Sequence, residues 1–176
     1  AVANVDQALI VFAAKDPEPN YSLLDRFLIL MAKQNLPVII CFNKTDLISE
    51  EERKAIEDGY RNSGYEIRFL SAKGKNGTEE LFQLMNNKTT VLAGPSGVGK
   101  STLVNLLQPR VVMETGTVSE KIRRGKHTTR HVEIFEVEGG GFVFDTPGFT
   151  SFEILDAEED NLSDFYPDLL KFKGEC

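Results

Sequence analysis

A glycine-rich segment in the second half of the chain constrains the fold most strongly. It reads Gly94-Pro95-Ser96-Gly97-Val98-Gly99-Lys100-Ser101, fits the pattern G-x-x-x-x-G-K-S, and is followed by Thr102. The apolar run Thr89–Ala93 precedes it, and a helical pattern over Lys100–Leu107 follows. Between a strand and a helix, such a loop lets backbone N–H groups and a helix amino terminus converge on phosphate oxygens. The segment therefore predicts a nucleotide site in an α/β fold.

Two side chains of this segment have expected roles. Lys100 is expected to reach the β- and γ-phosphates of a nucleoside triphosphate, and the hydroxyl group of Ser101 is expected to bind Mg²⁺, a hard ion that prefers oxygen ligands. The pattern alone does not distinguish GTP from ATP.

A second motif, Asn43-Lys44-Thr45-Asp46, follows the apolar run Pro37–Phe42 and bears on the choice of base. A carboxylate only accepts hydrogen bonds, so Asp46 suits the adjacent N1–H and N2–H donors of guanine and would repel the N1 lone pair of adenine. Asn43 is expected to brace the loop and to meet the other edge of the base, and the aliphatic stem of Lys44 can lie over the ring.

The triplet Ser71-Ala72-Lys73 comes one strand later, after Glu66–Leu70. In this context the backbone N–H of Ala72 is expected to donate to guanine O6. Because the triplet and the preceding motif follow successive strands, the sequence predicts that the chain binds GTP and GDP.

The remaining pattern alternates apolar runs with helical segments, which predicts an α/β fold of three layers: a mainly parallel sheet with helices on both faces. Helix caps are predicted at Ser22 with Asp25, at Ser49 with Glu52, and at Thr78. The predicted strands are Gln7–Ala14, Pro37–Phe42, Glu66–Leu70, Thr89–Ala93, Val132–Val137 and Gly141–Phe144, the last two joined as a hairpin. One domain is expected over residues 1–150, followed by an irregular extension over 151–176.

Composition excludes some classes of protein. The chain has 176 residues, 41% of them apolar, and a net charge of −7, which argues against bulk attraction to nucleic acid. We find no apolar stretch long enough to span a membrane and no signal peptide pattern in residues 1–6. Two cysteines do not make a disulfide framework, and Cys41 is expected to be buried, so a cytoplasmic location is expected. The basic stretch Lys121–His131 is either a contact for RNA or a solvated loop.

A third motif, Asp145-Thr146-Pro147-Gly148, ends a predicted strand. Asp145 is expected to hold Mg²⁺ through a water molecule, and the Gly148 N–H is expected to touch the γ-phosphate. Thr129, with Thr128 as the alternative, could complete the Mg²⁺ shell. His127 could position the attacking water, although an exposed loop histidine is more often only solvated.

The order of the motifs is unusual, because the base motifs precede the phosphate loop and Asp145–Gly148 comes last. This order is that of circularly permuted GTPases. Together with Ala3–Gln7 and Gly94–Thr102, the stretches Gly125-Lys126-His127-Thr128-Thr129 and Asp145–Phe149 resemble the ribosome small-subunit-dependent GTPase A (RsgA/YjeQ) family. The resemblance covers nearly the whole chain.

The resemblance implies a GTPase domain that acts in late maturation of the small ribosomal subunit and is stimulated by it. In that family an OB-fold precedes this domain and a zinc-binding domain follows. The subunit and its rRNA are expected to be contacted mostly through those flanking domains by a monomeric protein. Cys176 falls where the first zinc cysteine would lie, so zinc is expected only in the full-length protein.

One residue departs from many small GTPases, which carry a water-positioning glutamine after the glycine of the third motif. Phe149 stands there and cannot orient water, so slow hydrolysis without an activator is expected. Two alternatives remain open. One is a GTP-binding scaffold, which Phe149 favours; the other is a permuted GTPase of large-subunit assembly, which Gly125–Thr129 disfavours.

Overall fold

The computed structural model describes residues 4–107, 133–137, 139–145 and 166–170 of the chain. One six-stranded sheet organises these residues, in the order β3-β2-β1-β4-β6-β5. The strands are β1 (Gln7–Ala13), β2 (Val38–Asn43), β3 (Glu66–Phe69), β4 (Lys88–Ala93), β5 (Glu133–Glu136) and β6 (Gly141–Asp145). The helices are α1 (Tyr21–Lys33), α2 (Glu50–Tyr60), α3 (Thr78–Met85), α4 (Lys100–Leu107) and the single turn α5 (Pro167–Leu170), and a short 3₁₀ helix spans Thr45–Leu47.

All pairings in the sheet are parallel except that of β5 with β6, which form an antiparallel hairpin. The central strand β1 is buried along its whole length, as the apolar run Ala8–Ala13 predicts for a strand covered on both faces. The predicted mainly parallel sheet and the terminal hairpin are therefore confirmed.

Helices pack on both faces of the sheet, which confirms the three-layer prediction. On one face, Ile10 and Phe12 of β1 pack with Leu24 and Phe27 of α1, and α2 adds half-buried side chains. On the other face, the alternate residues of β1 pack with α3 and α4. The period-2 alternation of a strand thus divides β1 between two apolar cores.

Two predicted helix caps are wrong and one is confirmed. The side chain of Asn20 caps α1, so Ser22 lies inside the first turn rather than ahead of it. Gly77 precedes α3 with a φ of 71°, a conformation that threonine disfavours, and Thr78 is the first helical residue. Ser49 and Glu52 form the predicted capping box at α2, with hydrogen bonds of 3.2 and 2.7 Å.

The amino-terminal edge of the sheet contains a buried polar network that the sequence did not predict. Nε2 of Gln7 donates to the Leu84 carbonyl at 3.0 Å and to the Thr90 hydroxyl at 3.1 Å, and its Oε1 accepts from Lys88 at 3.0 Å. Gln7 and Thr90 are 3% and 0% exposed, so these bonds satisfy groups that cannot reach water. The network ties β1 to β4 and α3 at the edge opposite the predicted site.

The predicted irregular tail is only partly described, and α5 lies within it, so the tail is not irregular throughout. The structure describes neither the basic stretch 121–131 nor residues 171–176. Among the described residues, no helix is both long and apolar enough to span a bilayer.

Candidate functional site

The predicted motifs meet at one edge of the sheet. β1, β2, β3, β4 and β6 run parallel, so their carboxyl ends lie at the same edge, together with the loops that follow β1, β2, β3 and β4. The chain runs outward from β1 to β2 and β3, and then returns to place β4 on the other side of β1. Ligands of open α/β sheets bind at such a reversal of strand order.

The phosphate loop, residues 94–101, leaves β4 in a conformation that requires glycine. Gly94 has a φ of 141°, and a Cβ atom there would lie 2.1 Å from the carbonyl oxygen of Val11. The ammonium group of Lys100 donates to the carbonyls of Gly94 and Pro95 at 2.7 and 2.6 Å. These bonds fix the lysine against the first turn of the loop, and α4 begins at this residue.

The side chain of Asn43 joins the base loop, residues 43–46, to the phosphate loop and to the loop at residues 71–73. Its Nδ2 donates to the Val98 carbonyl at 2.8 Å, and its Oδ1 accepts from the Ala72 N–H at 2.9 Å. Asn43 is 2% exposed, so both bonds are shielded from water. One side chain therefore sets the spacing between the phosphate loop and the loops that are expected to hold the base.

The two hydrogen bonds of the Asn43 side chain are here called the Asn43 clamp. Gly99 is the residue of the phosphate loop that passes next to this side chain. It has a φ of 98°, and a Cβ atom there would lie 2.3 Å from Nδ2 of Asn43. Only glycine lets the loop pass the amide at this distance. The glycine pattern and the asparagine motif are thus parts of one contact, although Asn43 and Val98 are 55 residues apart in the chain.

The N–H of Ala72, which was expected to donate to guanine O6, donates to Asn43 in the described structure. A guanine oxygen would have to share that donor in a three-centre bond, as occurs elsewhere in proteins, or use the next N–H. The contact between Ala72 and O6 stays a prediction. The bracing role of Asn43 is present, and its contact with the base stays a prediction as well.

The carboxylate of Asp46 is oriented by the second base loop, residues 71–73. The hydroxyl group of Ser71 donates to Oδ1 of Asp46 at 2.5 Å and accepts from the Gly74 N–H at 3.0 Å. Ser71 is buried whereas Asp46 is exposed, so a rigid residue holds an acceptor that solvent or a ligand can reach.

A cavity of about 420 Å³ opens between these loops, within the size range of small-ligand sites. On the base side it is lined by Asn43, Lys44, Asp46, Ala72 and Lys73, and on the phosphate side by Gly99 and Thr102. The structure therefore brings residues from all three predicted loops to a single cavity.

Two lining residues, Asp16 and Leu47, were not predicted. Leu47 is 44% exposed and adds an apolar surface next to Asp46. Asp16 follows β1, and the carbonyl oxygen of Asp16 accepts a hydrogen bond from Nζ of Lys44. The breaker segment after a buried parallel strand was a usable signal, because the carboxyl end of that strand had to lie at the site.

The predicted magnesium ligands are described in part. Ser101 lies in the first turn of α4, and Asp145 ends β6, where it pairs with Leu92, two residues before the phosphate loop. A hydroxyl group and a carboxylate are hard oxygen donors of the kind that Mg²⁺ prefers. The residue types therefore fit the ion, and their coordination of it stays a prediction.

Other predicted site residues lie outside the described part of the chain: His127, Thr128, Thr129, Gly148, Phe149 and Cys176. Their roles stay predictions. Pro95, Ser96 and Gly97 lie in the described phosphate loop, and their contacts with a nucleotide also stay predictions.

Comparison with known proteins gives consistent matches. A family model described as RsgA GTPase matches residues 1–155. A protein of Agathobacter rectalis named small ribosomal subunit biogenesis GTPase RsgA is 47% identical over 176 residues, and one of the same name from Clostridium kluyveri is 49% identical. The match covers 100% of this chain in both cases, but only 58% and 61% of those proteins.

Solved structures agree with the fold. The crystal structure of YjeQ from Thermotoga maritima superposes with a TM-score of 0.75 at 34% identity, covering 93% of this chain and 55% of that one. The structure of YloQ, described as a circularly permuted GTPase, gives a TM-score of 0.74 at 38% identity over 98% of this chain and 55% of that one. The chain thus corresponds to somewhat more than half the length of the proteins it matches.

Proposed function

The chain belongs to the RsgA GTPase family, and from this premise we propose that it binds GTP and GDP and hydrolyses GTP with Mg²⁺ during late maturation of the small ribosomal subunit. The guanine nucleotide would lie in the cavity between the base loop and the phosphate loop. The last motif to complete the site would be Asp145–Gly148.

The Asn43 clamp is the observation that carries the proposal. A phosphate loop alone would serve any nucleotide, and an exposed aspartate alone would be an ordinary surface residue. Asn43 bonds the backbone of the phosphate loop and that of the second base loop, while Ser71 of that loop holds Asp46. A ligand that meets both Lys100 and Asp46 needs phosphates and a base with two adjacent donors, which describes a guanine nucleotide.

Hydrolysis assigns roles to residues on both sides of the phosphates. Lys100 and the amino terminus of α4 would bind phosphate oxygens. Ser101, Asp145 and Thr129 would hold Mg²⁺, which supplies positive charge to offset the charge that develops on the transferring phosphoryl group. His127 would orient the attacking water, and the Gly148 N–H would contact the γ-phosphate.

The finer assignments concern the rest of the protein. The GTPase domain would comprise residues 1–150, with residues 151–176 leading toward a zinc-binding domain whose first ligand would be Cys176. Contacts with the small subunit and its rRNA would come mostly from flanking domains. The protein would act in the cytoplasm as a monomer.

Phosphate release measured over many turnovers tests the proposal. GTP should be hydrolysed slowly by the chain alone, at about 10⁻⁴ s⁻¹ as in unaided small GTPases. The rate in the full-length protein should rise with the concentration of small ribosomal subunits, but not with that of large subunits. Lys100→Ala should abolish turnover, and Ser101→Ala should weaken its Mg²⁺ dependence.

Phe149 favours a second candidate, a GTP-binding scaffold, because its ring cannot orient water. The same assay separates the two candidates. Binding of GTP without turnover at any subunit concentration would support the scaffold. Stimulation by large subunits alone would favour a role in large-subunit assembly, and either result would contradict the proposed function.

A further inference from the structure

We propose that residues 15–20, here called the strap, position Lys44 against the nucleotide base and so set how slowly guanine nucleotide leaves the site. The inference rests on the proposed function, since it concerns the same cavity. It assigns a positioning role to a segment that none of the nucleotide-binding motifs includes.

The strap begins just after β1, and the residue before it is hydrogen-bonded to the base loop. The N–H of Ala14, just before the strap, donates to the carbonyl of Asn43 at 2.7 Å. At its other end, Asn20 caps α1 through a bond of 3.0 Å from the Leu23 N–H. The strap is thus held at both ends, by the central strand and by a helix of 13 residues.

The middle of the strap contacts the base loop. Nζ of Lys44 donates to the carbonyl oxygen of Asp16, and both residues adopt left-handed backbone conformations, with φ of 63° and 51°. Asp16 also lines the cavity beside Lys44. A lysine side chain has four rotatable bonds, so fixing the ammonium group at the strap restricts where the aliphatic stem lies. The stem is the part expected to cover the base.

The next residue of the strap approaches the phosphate loop. A Cβ atom placed on Gly97 would lie 3.8 Å from Cδ of Pro17, an ordinary van der Waals distance, so Pro17 lies close beside this loop. Asp16 therefore contacts the base loop through Lys44, and Pro17 lies beside the phosphate loop.

A third contact of the strap, the ion pair of Lys15, provides the control for the experiment on Lys44. Lys15 forms an ion pair with Glu52 of α2 at 3.2 Å, with side chains that are 44% and 50% exposed. An ion pair this exposed contributes little. Lys15 and Lys44 are thus two lysines that each make one contact involving the strap or its neighbouring residue, and of the two only Lys44 lines the cavity.

Dissociation of N-methylanthraniloyl-GDP, chased with excess GDP, tests the proposal on this chain. Lys44→Met keeps the aliphatic stem but removes the donor to Asp16. Its dissociation rate should rise about tenfold, roughly the cost of ordering one freed, rotamer-rich side chain on binding. Lys15→Met, the matched control, should stay within about twofold of wild type, and Lys44→Arg, which keeps a donor, should restore most of the lost residence time.

A second pair of variants tests the approach of the strap to the phosphate loop. Pro17→Ala removes the ring beside Gly97 and should speed dissociation about threefold, because the strap then has more backbone freedom next to the phosphate loop. Pro19→Ala changes the same residue type two positions further along the strap. It should leave the rate unchanged.

Two further measurements separate an effect on the position of Lys44 from a general loss of stability or of phosphate binding. Inorganic pyrophosphate has no base, so it should compete equally well in wild type and Lys44→Met. The denaturation midpoints of the two proteins should also agree. Loss of pyrophosphate binding or a lowered midpoint in Lys44→Met would overturn the proposal, as would equal dissociation rates for Lys44→Met and Lys15→Met. Failure of the wild-type chain to bind the GDP probe would instead contradict the proposed function.

Discussion

Oδ1 of Asn43 accepts a hydrogen bond from the backbone N–H of Ala72 at 2.9 Å, across a gap of 29 residues in the chain. The same amide group donates to Val98 in the phosphate loop. An asparagine can serve both loops because its side chain has an acceptor at one atom and a donor at the other.

Replacing the donor alone tests this clamp. In Asn43→Asp the oxygen facing Ala72 remains, but an acceptor faces the Val98 carbonyl in a buried position. We expect the free energy of unfolding to fall by about 1–3 kcal/mol and the Kd for GDP to rise more than tenfold, measured by denaturant titration and by nucleotide titration. Asn62→Asp, at an exposed position, is the control. Equal GDP affinity in Asn43→Asp and wild type would mean that the clamp does not shape the site.

Two glycine substitutions should have opposite effects. Gly99→Ala places a methyl group 2.3 Å from Asn43 at a φ of 98°, so nucleotide binding should be lost. Gly59→Ala lies in α2, where a Cβ atom meets nothing within 4 Å. It should raise the free energy of unfolding by roughly 0.5–1 kcal/mol, because alanine is the better helix former. Nucleotide titration and denaturant titration of both variants test these two expectations. Binding retained in Gly99→Ala would contradict the close approach.

The buried network at the opposite edge of the sheet should affect stability alone. Gln7→Leu leaves the Thr90 hydroxyl without its partner, and should lower the free energy of unfolding by about 1–3 kcal/mol while sparing the affinity for GDP. The double variant Gln7→Leu with Thr90→Val removes both polar groups, so it should be less destabilised than the sum of the single changes. Strictly additive effects in the denaturant titration would show that the two side chains are not coupled.

The sequence was sufficient for the sheet and for the place of the site. Strand β1 is apolar from Ala8 to Ala13, as expected of a strand buried on both faces. Each motif followed a predicted strand, so the loops had to meet at the carboxyl edge of a parallel sheet. Local patterns also located the capping box at Ser49.

Contacts between distant segments could not be predicted in the same way. The bonds of Asn43 depend on how far three loops approach one another, and the bond between Lys44 and Asp16 depends on left-handed conformations that no motif encodes. Gln7 resembled any other residue at a strand end, because its partners come from β4 and α3. Where several residues could cap a helix, as Asn20 and Ser22 could for α1, local sequence does not rank them reliably.

Recognition of guanine through Asp46 is the central claim. Its carboxylate is held by Ser71 and should accept from both donors of guanine, whereas adenine would place a lone pair against it. We expect GDP to bind more tightly than ADP by a factor on the order of 10³ to 10⁴. Asp46→Asn introduces a donor in place of an acceptor, so preference should move from GDP to XDP, whose base carries an oxygen where guanine carries its amino group.

The most direct measurement is competition of GDP, ADP and XDP against one fluorescent nucleotide, on wild type and on Asp46→Asn, with Thr45→Ser as a conservative control in the same loop. We expect GDP to bind most tightly by orders of magnitude in wild type and in Thr45→Ser, and XDP to bind most tightly in Asp46→Asn. Equal affinities of wild type for GDP and ADP, or an unchanged preference in Asp46→Asn, would contradict recognition of guanine through Asp46.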